Sequence, residues 1–312
     1  MTLSATQGIL GRMRWTTEQI ADQSGKTFLV TGANSGLGLV TARVLAAKGG
    51  HVIMAVRNLT KGRQAADAID GSVELQHVDL ADLDSVRALA DELRGRRIDV
   101  LVNNAGIMMP PRQLSAQGHE QQFAANHLGH FALTLLLLDQ IEERVVTVSS
   151  ALHKRGRIHY DDLDGSGRYS PIAFYTQSKF ANVLFGLELH RRLKAAGDPR
   201  RSLLAHPGYS DTNLQTAGRT RAVKALMRVG NRVLAQPAER GALNQLYAAV
   251  DPRAQSGQFI GPDGRGEHRG WPTEVQPVGP ARDEADARRL WELSERVTGV
   301  QLSSADLGRQ RR

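Results

Sequence analysis

From Lys26 onward the chain alternates between short apolar runs and longer stretches in which apolar residues recur at helical spacing. A short apolar run bounded by turn residues reads as a buried strand, and recurrence every three or four positions reads as one face of a helix. On that basis Thr27-Phe28-Leu29-Val30 is a first strand, followed by a helix carrying Leu39, Val40, Val44 and Leu45. His51 to Val56 is a second strand with a helix from Leu59 to Asp70, and Val73 to Val78 a third with a helix from Leu83 to Arg94. Val100-Leu101-Val102 is the fourth strand, followed by a long helix over 118–139 with Phe123, Leu128, Phe131 and Leu135 on one face. Arg144 to Val148 is the fifth, and the polar, Gly- and Asp-rich stretch 151–171 reads as a loop. A helix from Phe174 to before Gly197 leads to a sixth strand, Ser202 to Ala205, stopped by His206-Pro207-Gly208. Helices over 220–234 and 237–250, a short strand at Gln258-Phe259-Ile260 and a helix over 283–297 complete the series. Regular alternation of strand and helix predicts an α/β fold: a doubly wound, Rossmann-type parallel sheet with helices on both faces. A single domain over 26–300 accounts for the pattern, with a lead-in over 1–25 and a tail over 301–312.

Composition narrows the picture. Of 312 residues, 41% are hydrophobic and 23% charged, which suits a globular protein and excludes a disordered one. There is no cysteine, so disulfides, cysteine-ligated zinc and thiolate catalysis are excluded. No signal-peptide core is present and no apolar run approaches the ~18 residues of a membrane span. A soluble, cytoplasmic protein is the expectation. The formal charge of +8 is matched by residues 190–240 alone, which hold eleven Lys/Arg against Asp198, Asp211 and Glu239. Without a helix-turn-helix or RNA-binding signature, this reads as a solvated face and not as a nucleic-acid surface.

In a doubly wound sheet the ligand lies beyond the carboxyl ends of the strands, and the polar residues of this chain collect there. Thr31-Gly32-Ala33-Asn34-Ser35-Gly36-Leu37-Gly38 follows the first strand and opens a helix. Such a turn lets backbone approach a pyrophosphate, while the helix N-terminus favours its charge. Gly32 serves the tight turn, Gly36 the close approach and Gly38 helix–strand packing. Arg57, Asp79, Asn103, Ser150 and Pro207 end the next five strands, which argues for one crevice. Tyr175 and Lys179 lie four residues apart on a helix and so share a face. A phenol with a pKa of ~10 shuttles protons poorly near neutrality, and a neighbouring cation favours its ionised form.

Together, T-G-x3-G-x-G at 31–38, Asp79, N-N-A-G at 103–106, Asn126, Ser150, Tyr175 with Lys179, and Pro207-Gly208 resemble the short-chain dehydrogenase/reductase family over about 26–262. Asn126-His127-Leu128-Gly129-His130-Phe131, the long insertion after Ser150, and Leu290-Trp291-Glu292-Leu293-Ser294 resemble its retinol dehydrogenase-like subgroup. Ser149 stands beside Ser150 as the alternative serine. The resemblance implies carbonyl reduction or its reverse. Tyr175 would be the acid/base, Ser150 would hydrogen-bond the carbonyl, and Lys179 would lower the Tyr175 pKa and hold the nicotinamide ribose. Asn126 would hold a water in a relay to Lys179. It also implies a dinucleotide site made of Gly32, Asn34, Ser35, Gly36, Leu37, Gly38, Arg57, Asn58, Asp79, Leu80, Asn103, Ala105, Gly106, Pro207, Gly208 and Thr212, besides Tyr175 and Lys179. Within it Asn103 would meet the adenosine ribose, Asp79 the adenine edge and Thr212 the carboxamide.

Strand two ends in Val56-Arg57-Asn58, with no acid before Asp67 to accept from ribose hydroxyls. Arg57 instead offers a planar fork for a 2′-phosphate, with Asn34 and Ser35 as further donors, so NADP(H) is the expected cofactor. Met108-Met109, the 151–171 loop and a lid over 209–234 suggest an apolar carbonyl or alcohol substrate. His127 and His130, at helical spacing but without a third ligand, read as packing or hydrogen-bonding groups, so no metal is expected. The basic helix within 219–232 reads as a packed surface helix in preference to a membrane contact. Helices 118–139 and 174–196 are the family's usual dimer surfaces, so a homodimer is one expectation. Two other readings, a protochlorophyllide reductase and a non-catalytic nucleotide sensor or scaffold, fit less well. The first type uses an active-site cysteine, and the second usually lacks the Tyr or the Lys.

Overall fold

The computed structural model describes residues 14–208, 236–303 and 306–308. Thr212, the expected lid over 209–234 and the helix expected over 220–234 lie outside the described residues. The strands are β1 (Thr27–Thr31), β2 (His51–Val56), β3 (Val73–His77), β4 (Ile98–Asn103), β5 (Ile141–Val148), β6 (Arg201–Ala205), β7 (Phe259–Pro262) and β8 (Pro272–Val275). The helices are α1 (Gly36–Ala47), α2 (Leu59–Ala66), α3 (Leu83–Glu92), α4 (Gly129–Leu136), α5 (Pro171–Ala195), α6 (Ala238–Val250) and α7 (Glu284–Thr298). One sheet holds all eight strands in the order β3-β2-β1-β4-β5-β6-β7-β8, parallel except for the last pair. The order reverses between β1 and β4, which opens a crevice at their carboxyl ends.

Side chains alternate between the two faces of each strand. Leu29, Ile53, Leu101 and Val145 face α3, α4 and α5, against Leu89, Phe131, Phe185 and Trp291. Phe28, Val30, Met54, Val102 and Val146 face α1 and α6, against Leu45 and Leu246. This two-sided burial is why the strands read as near-continuous apolar runs. Trp15 and Ile20, in the lead-in, belong to that second layer, and the Trp15 indole donates to Asp251 (2.7 Å). The tail is docked too: Leu302 and Leu307 pack on the first layer, and the Gly308 amide donates to Asp198 (3.1 Å).

Three differences from the expected elements have physical causes. β8 was not expected; its leading Pro272 is tolerated because this is an antiparallel edge strand. The helix expected over 118–139 begins only at Gln121, where the Glu120 carboxylate caps the Phe123 amide (2.9 Å). It then widens into a π-helical turn over Ala124–Leu128 before α4. Finally, α7 packs against α4 and α5, a contact that no short-range pattern predicts. Trp291 lies on Phe131 and Phe185, with ring centroids 5.0 and 5.8 Å away, under the Arg192 guanidinium. Among the described residues no helix is long and apolar enough to cross a membrane.

Candidate active site

The glycine turn is built for close approach. Gly32 (φ +68°) and Gly36 (φ +54°) adopt backbone that side chains disfavour. The Gly32 amide donates to the Ala55 carbonyl (2.8 Å), which ties the turn to β2. At Gly38 an added Cβ would fall 2.5 Å from the Asn104 amide nitrogen and nearer still to the Gly32 carbonyl. Asn104, quoted only as part of a motif, is therefore the pin of the turn. Its amide donates to the Thr31 carbonyl (2.8 Å) and accepts from Gln245 (3.2 Å). The Ser35 side chain makes no capping bond, so the first-turn N–H groups of α1 are left without a side-chain acceptor. An uncapped helix N-terminus above a glycine turn fits a dinucleotide pyrophosphate.

Arg57 follows β2, two residues beyond the carbonyl that holds Gly32, and is exposed without a hydrogen bond or ion pair among the described residues. Its neighbour Asn58 caps α2 by accepting from the Lys61 amide (2.9 Å), so its side chain is committed to the helix. Asp79 is half-buried and accepts from the Ala81 amide (3.0 Å). Leu80 is buried, and its carbonyl packs against Gly129. Asn103 departs from the expected placement: it has no exposed surface and its amide donates to Thr134 (2.9 Å). That side chain belongs to the sheet interior, so a ribose contact from this position must come from backbone. Pro207 and Gly208 (φ +68°) form a turn in which the Gly208 amide donates to His206 (3.2 Å) and the Pro207 carbonyl accepts from Gln236 (2.5 Å).

Across the crevice, α5 carries Tyr175 and Lys179, both nearly buried. The structure separates the two adjacent serines. Ser149 is buried and its hydroxyl donates to the Lys179 carbonyl (2.8 Å). Ser150 is half-buried, accepts from the Leu152 amide (3.2 Å), and stands near enough to the Tyr175 phenol to act on its acidity. Its backbone carbonyl is held by His153 (2.7 Å), within a 3-10 turn over Ala151–Arg155. Asn126 lies on the π-helical turn. It accepts from the Ile107 amide (2.8 Å) and donates to the Ile107 carbonyl (3.0 Å) and to Ser178 (2.9 Å). A Cβ placed on Gly106 would lie 3.2 Å from the Asn126 side-chain oxygen and 3.5 Å from the Lys179 ammonium, so both converge on Gly106.

Burial dominates the electrostatics. It pushes the Tyr175 phenol up to about 12, opposed by the Ser150 hydroxyl. It pulls the Lys179 ammonium down to about 8, with the Val148 carbonyl accepting from it (3.2 Å). The expected lowering of the phenol by Lys179 is not seen: the ammonium points at β5, and Ser150 is the group acting on the phenol. His127 and His130 face different partners, Ser294 (2.9 Å) and Thr31 (2.9 Å).

Comparison with known proteins agrees with this geometry. The short chain dehydrogenase family profile matches residues 26–223. Human retinol dehydrogenase 13 is 39% identical over 298 residues, covering 90% of this chain and 86% of that protein. Mouse polyprenol dehydrogenase is 38% identical over 301 residues, covering 91% and 87%. The crystal structure of an uncharacterized protein from Mycobacterium paratuberculosis superposes with a TM-score of 0.81 at 45% identity, covering 93% of this chain and 99% of that one. With the glycine turn, the Tyr/Lys helix and these relatives pointing the same way, the chain belongs to the short chain dehydrogenase family and is a retinol dehydrogenase-like oxidoreductase.

Proposed function

We propose that the protein interconverts an alcohol and a carbonyl with NADP(H), acting on an apolar aldehyde, ketone or alcohol, with Tyr175 as acid/base. The observation that carries this reading is the convergence of Lys179 and Asn126 on Gly106, with Tyr175 one turn before Lys179 on the same helix. When bound, the dinucleotide gives or takes the hydride. The remaining work falls to the chain. In the reducing direction the Tyr175 hydroxyl gives its proton to the substrate oxygen, and a phenol held near 12 arrives protonated. The Ser150 oxygen already accepts from the Leu152 amide, so its own hydrogen is free to donate to the charge developing on the substrate oxygen or to phenolate. Lys179, whose ammonium converges with Asn126 on Gly106, would hold the nicotinamide ribose hydroxyls as a hydrogen-bond donor.

Arg57 supports NADP(H) over NAD(H): an exposed guanidinium, unpaired among the described residues, stands where an NAD enzyme carries an acid. Retinol and polyprenol, in the names of the two relatives, are long apolar alcohols, which agrees with Ile107, Met108 and Met109 beside the site. We place the enzyme in the cytoplasm, with no need of a metal. The test is to follow NADPH absorbance with a panel of long-chain and isoprenoid aldehydes and ketones against short polar ones. Turnover of the apolar members is expected. Absence of NADPH oxidation with every member would favour a non-catalytic nucleotide sensor.

A further inference from the structure

His130 is 1% exposed, and both its ring nitrogens are engaged across the core of the site. Nδ1 lies 3.0 Å from the Asn126 backbone carbonyl, and Nε2 lies 2.9 Å from the Thr31 hydroxyl. A carbonyl only accepts, so Nδ1 carries the hydrogen, and the neutral ring offers its Nε2 lone pair to Thr31. The Thr31 oxygen in turn accepts from the amides of Asn104 (2.9 Å) and Ala105 (3.0 Å). These are the residues against which the glycine turn is pinned, Asn104 under Gly38 and Ala105 under Gly32. At the other end, the Asn126 side chain holds Ile107 and donates to Ser178, whose hydroxyl donates to the Tyr175 carbonyl (2.9 Å). One imidazole therefore stands between the turn that would hold the dinucleotide and the segment that carries the phenol.

We propose that His130 is a positioning residue for the reaction: its Nε2 sets the dinucleotide turn through Thr31, and its Nδ1 sets the proton-transfer side through Asn126. Burial holds the ring's pKa down at about 4, so the neutral form required by this chain of hydrogen bonds persists at ordinary pH. The inference rests on the reading of the site as an NADP(H) oxidoreductase. It gives the second histidine of Asn126-His127-Leu128-Gly129-His130-Phe131 a role beyond packing.

The two nitrogens can be tested separately, because glutamine presents an acceptor at the ε position and asparagine a donor at the δ position. His130→Gln keeps the acceptor for Thr31 and loses the donor to Asn126. It is expected to keep NADPH affinity within about twofold and to lose about tenfold in kcat, the worth of one hydrogen bond at 1.4 kcal/mol per decade. His130→Asn keeps the donor and loses the acceptor. It is expected to keep kcat within about twofold and to bind NADPH about tenfold more weakly. Thr31→Val should weaken NADPH binding at least as much, because it also strips the Asn104 and Ala105 amides of their acceptor, and combining it with His130→Asn should weaken binding no further than Thr31→Val alone. Affinity is read by titrating NADPH fluorescence on the whole protein, and kcat by NADPH oxidation with the best carbonyl substrate. If the two His130 variants lose affinity and kcat in the same proportion, or match the wild type, the proposal is overturned. So is it if the Thr31 and His130 effects multiply. A wild-type protein that neither binds nor oxidises NADPH would instead overturn the reading of the site.

Discussion

Replacing Lys179 by methionine tests whether the fold carries a group that opposes its own stability. The side chain is 5% exposed, and burial brings its pKa from 10.5 down to about 8. At 1.36 kcal/mol per pH unit that difference means roughly 3 kcal/mol spent in keeping the ammonium charged inside the protein at neutral pH. Methionine has a similar reach and no charge. Its introduction removes the bond to the Val148 carbonyl, worth about 1 kcal/mol net, and that carbonyl keeps the Asn182 amide as a donor (3.2 Å). Lys179→Met is therefore expected to be inactive yet more stable at pH 7 by about 2 kcal/mol, a rise of roughly 4 °C in Tm for a chain of this size. The gap should depend on pH. Between about 8 and 10.5 the unfolded chain keeps the Lys179 proton that the folded protein has released, so wild-type stability rises with pH relative to the variant. Melting both proteins by calorimetry from pH 7 to pH 10.5 should show the gap closing across that window. A variant less stable than wild type at pH 7, or a gap that stays constant, would refute the argument.

Three further outcomes follow from the geometry. Gly38→Ala drives a methyl into the Gly32 carbonyl and the Asn104 amide. It should cost roughly 1–3 kcal/mol in urea unfolding and abolish NADPH binding, whereas normal binding would show that the turn yields. Arg57→Ala should raise the KM for NADPH about tenfold and leave that for NADH unchanged, since only a 2′-phosphate needs the guanidinium; equal changes in both would remove the basis for NADP(H) preference. Trp291→Ala should cost about 3–5 kcal/mol through the cavity left on Phe131 and Phe185, measured by the shift in the urea midpoint, and a shift under a third of that would mean α7 packs loosely.

The parallel strands and the crevice were legible because every internal parallel strand is an apolar run ending in a polar or glycine residue, and that punctuation survives in one dimension. The glycine turn and Tyr175/Lys179 were legible because short-range spacing fixes a shared loop or helix face. What sequence left out is what long-range packing decides. Asn103 was assigned a ligand by its motif, but Thr134, from α4, takes its amide. Ser149 and Ser150 looked alike until the Lys179 carbonyl claimed one hydroxyl. The π-helical turn had a trace in the five-residue step from Phe123 to Leu128, which breaks the three-and-four rhythm of Phe131 and Leu135. The covering of two helices by α7 had none, because Trp291 reads as any amphipathic helix residue until Phe185 is found beneath it. The docking of Trp15 was missed for a related reason: its partner Asp251 lies at the far end of the chain.

The central claim is that the Tyr175 phenol transfers the proton, and Tyr175→Phe removes that hydroxyl while leaving the buried ring in place. Steady-state NADPH oxidation by this variant, with NADPH affinity measured alongside, decides the matter. The account predicts that kcat falls by about 10²–10⁴-fold while affinity stays within about twofold. Turnover within about threefold of the wild type would contradict it, because a general acid of this kind contributes at least about 10²-fold.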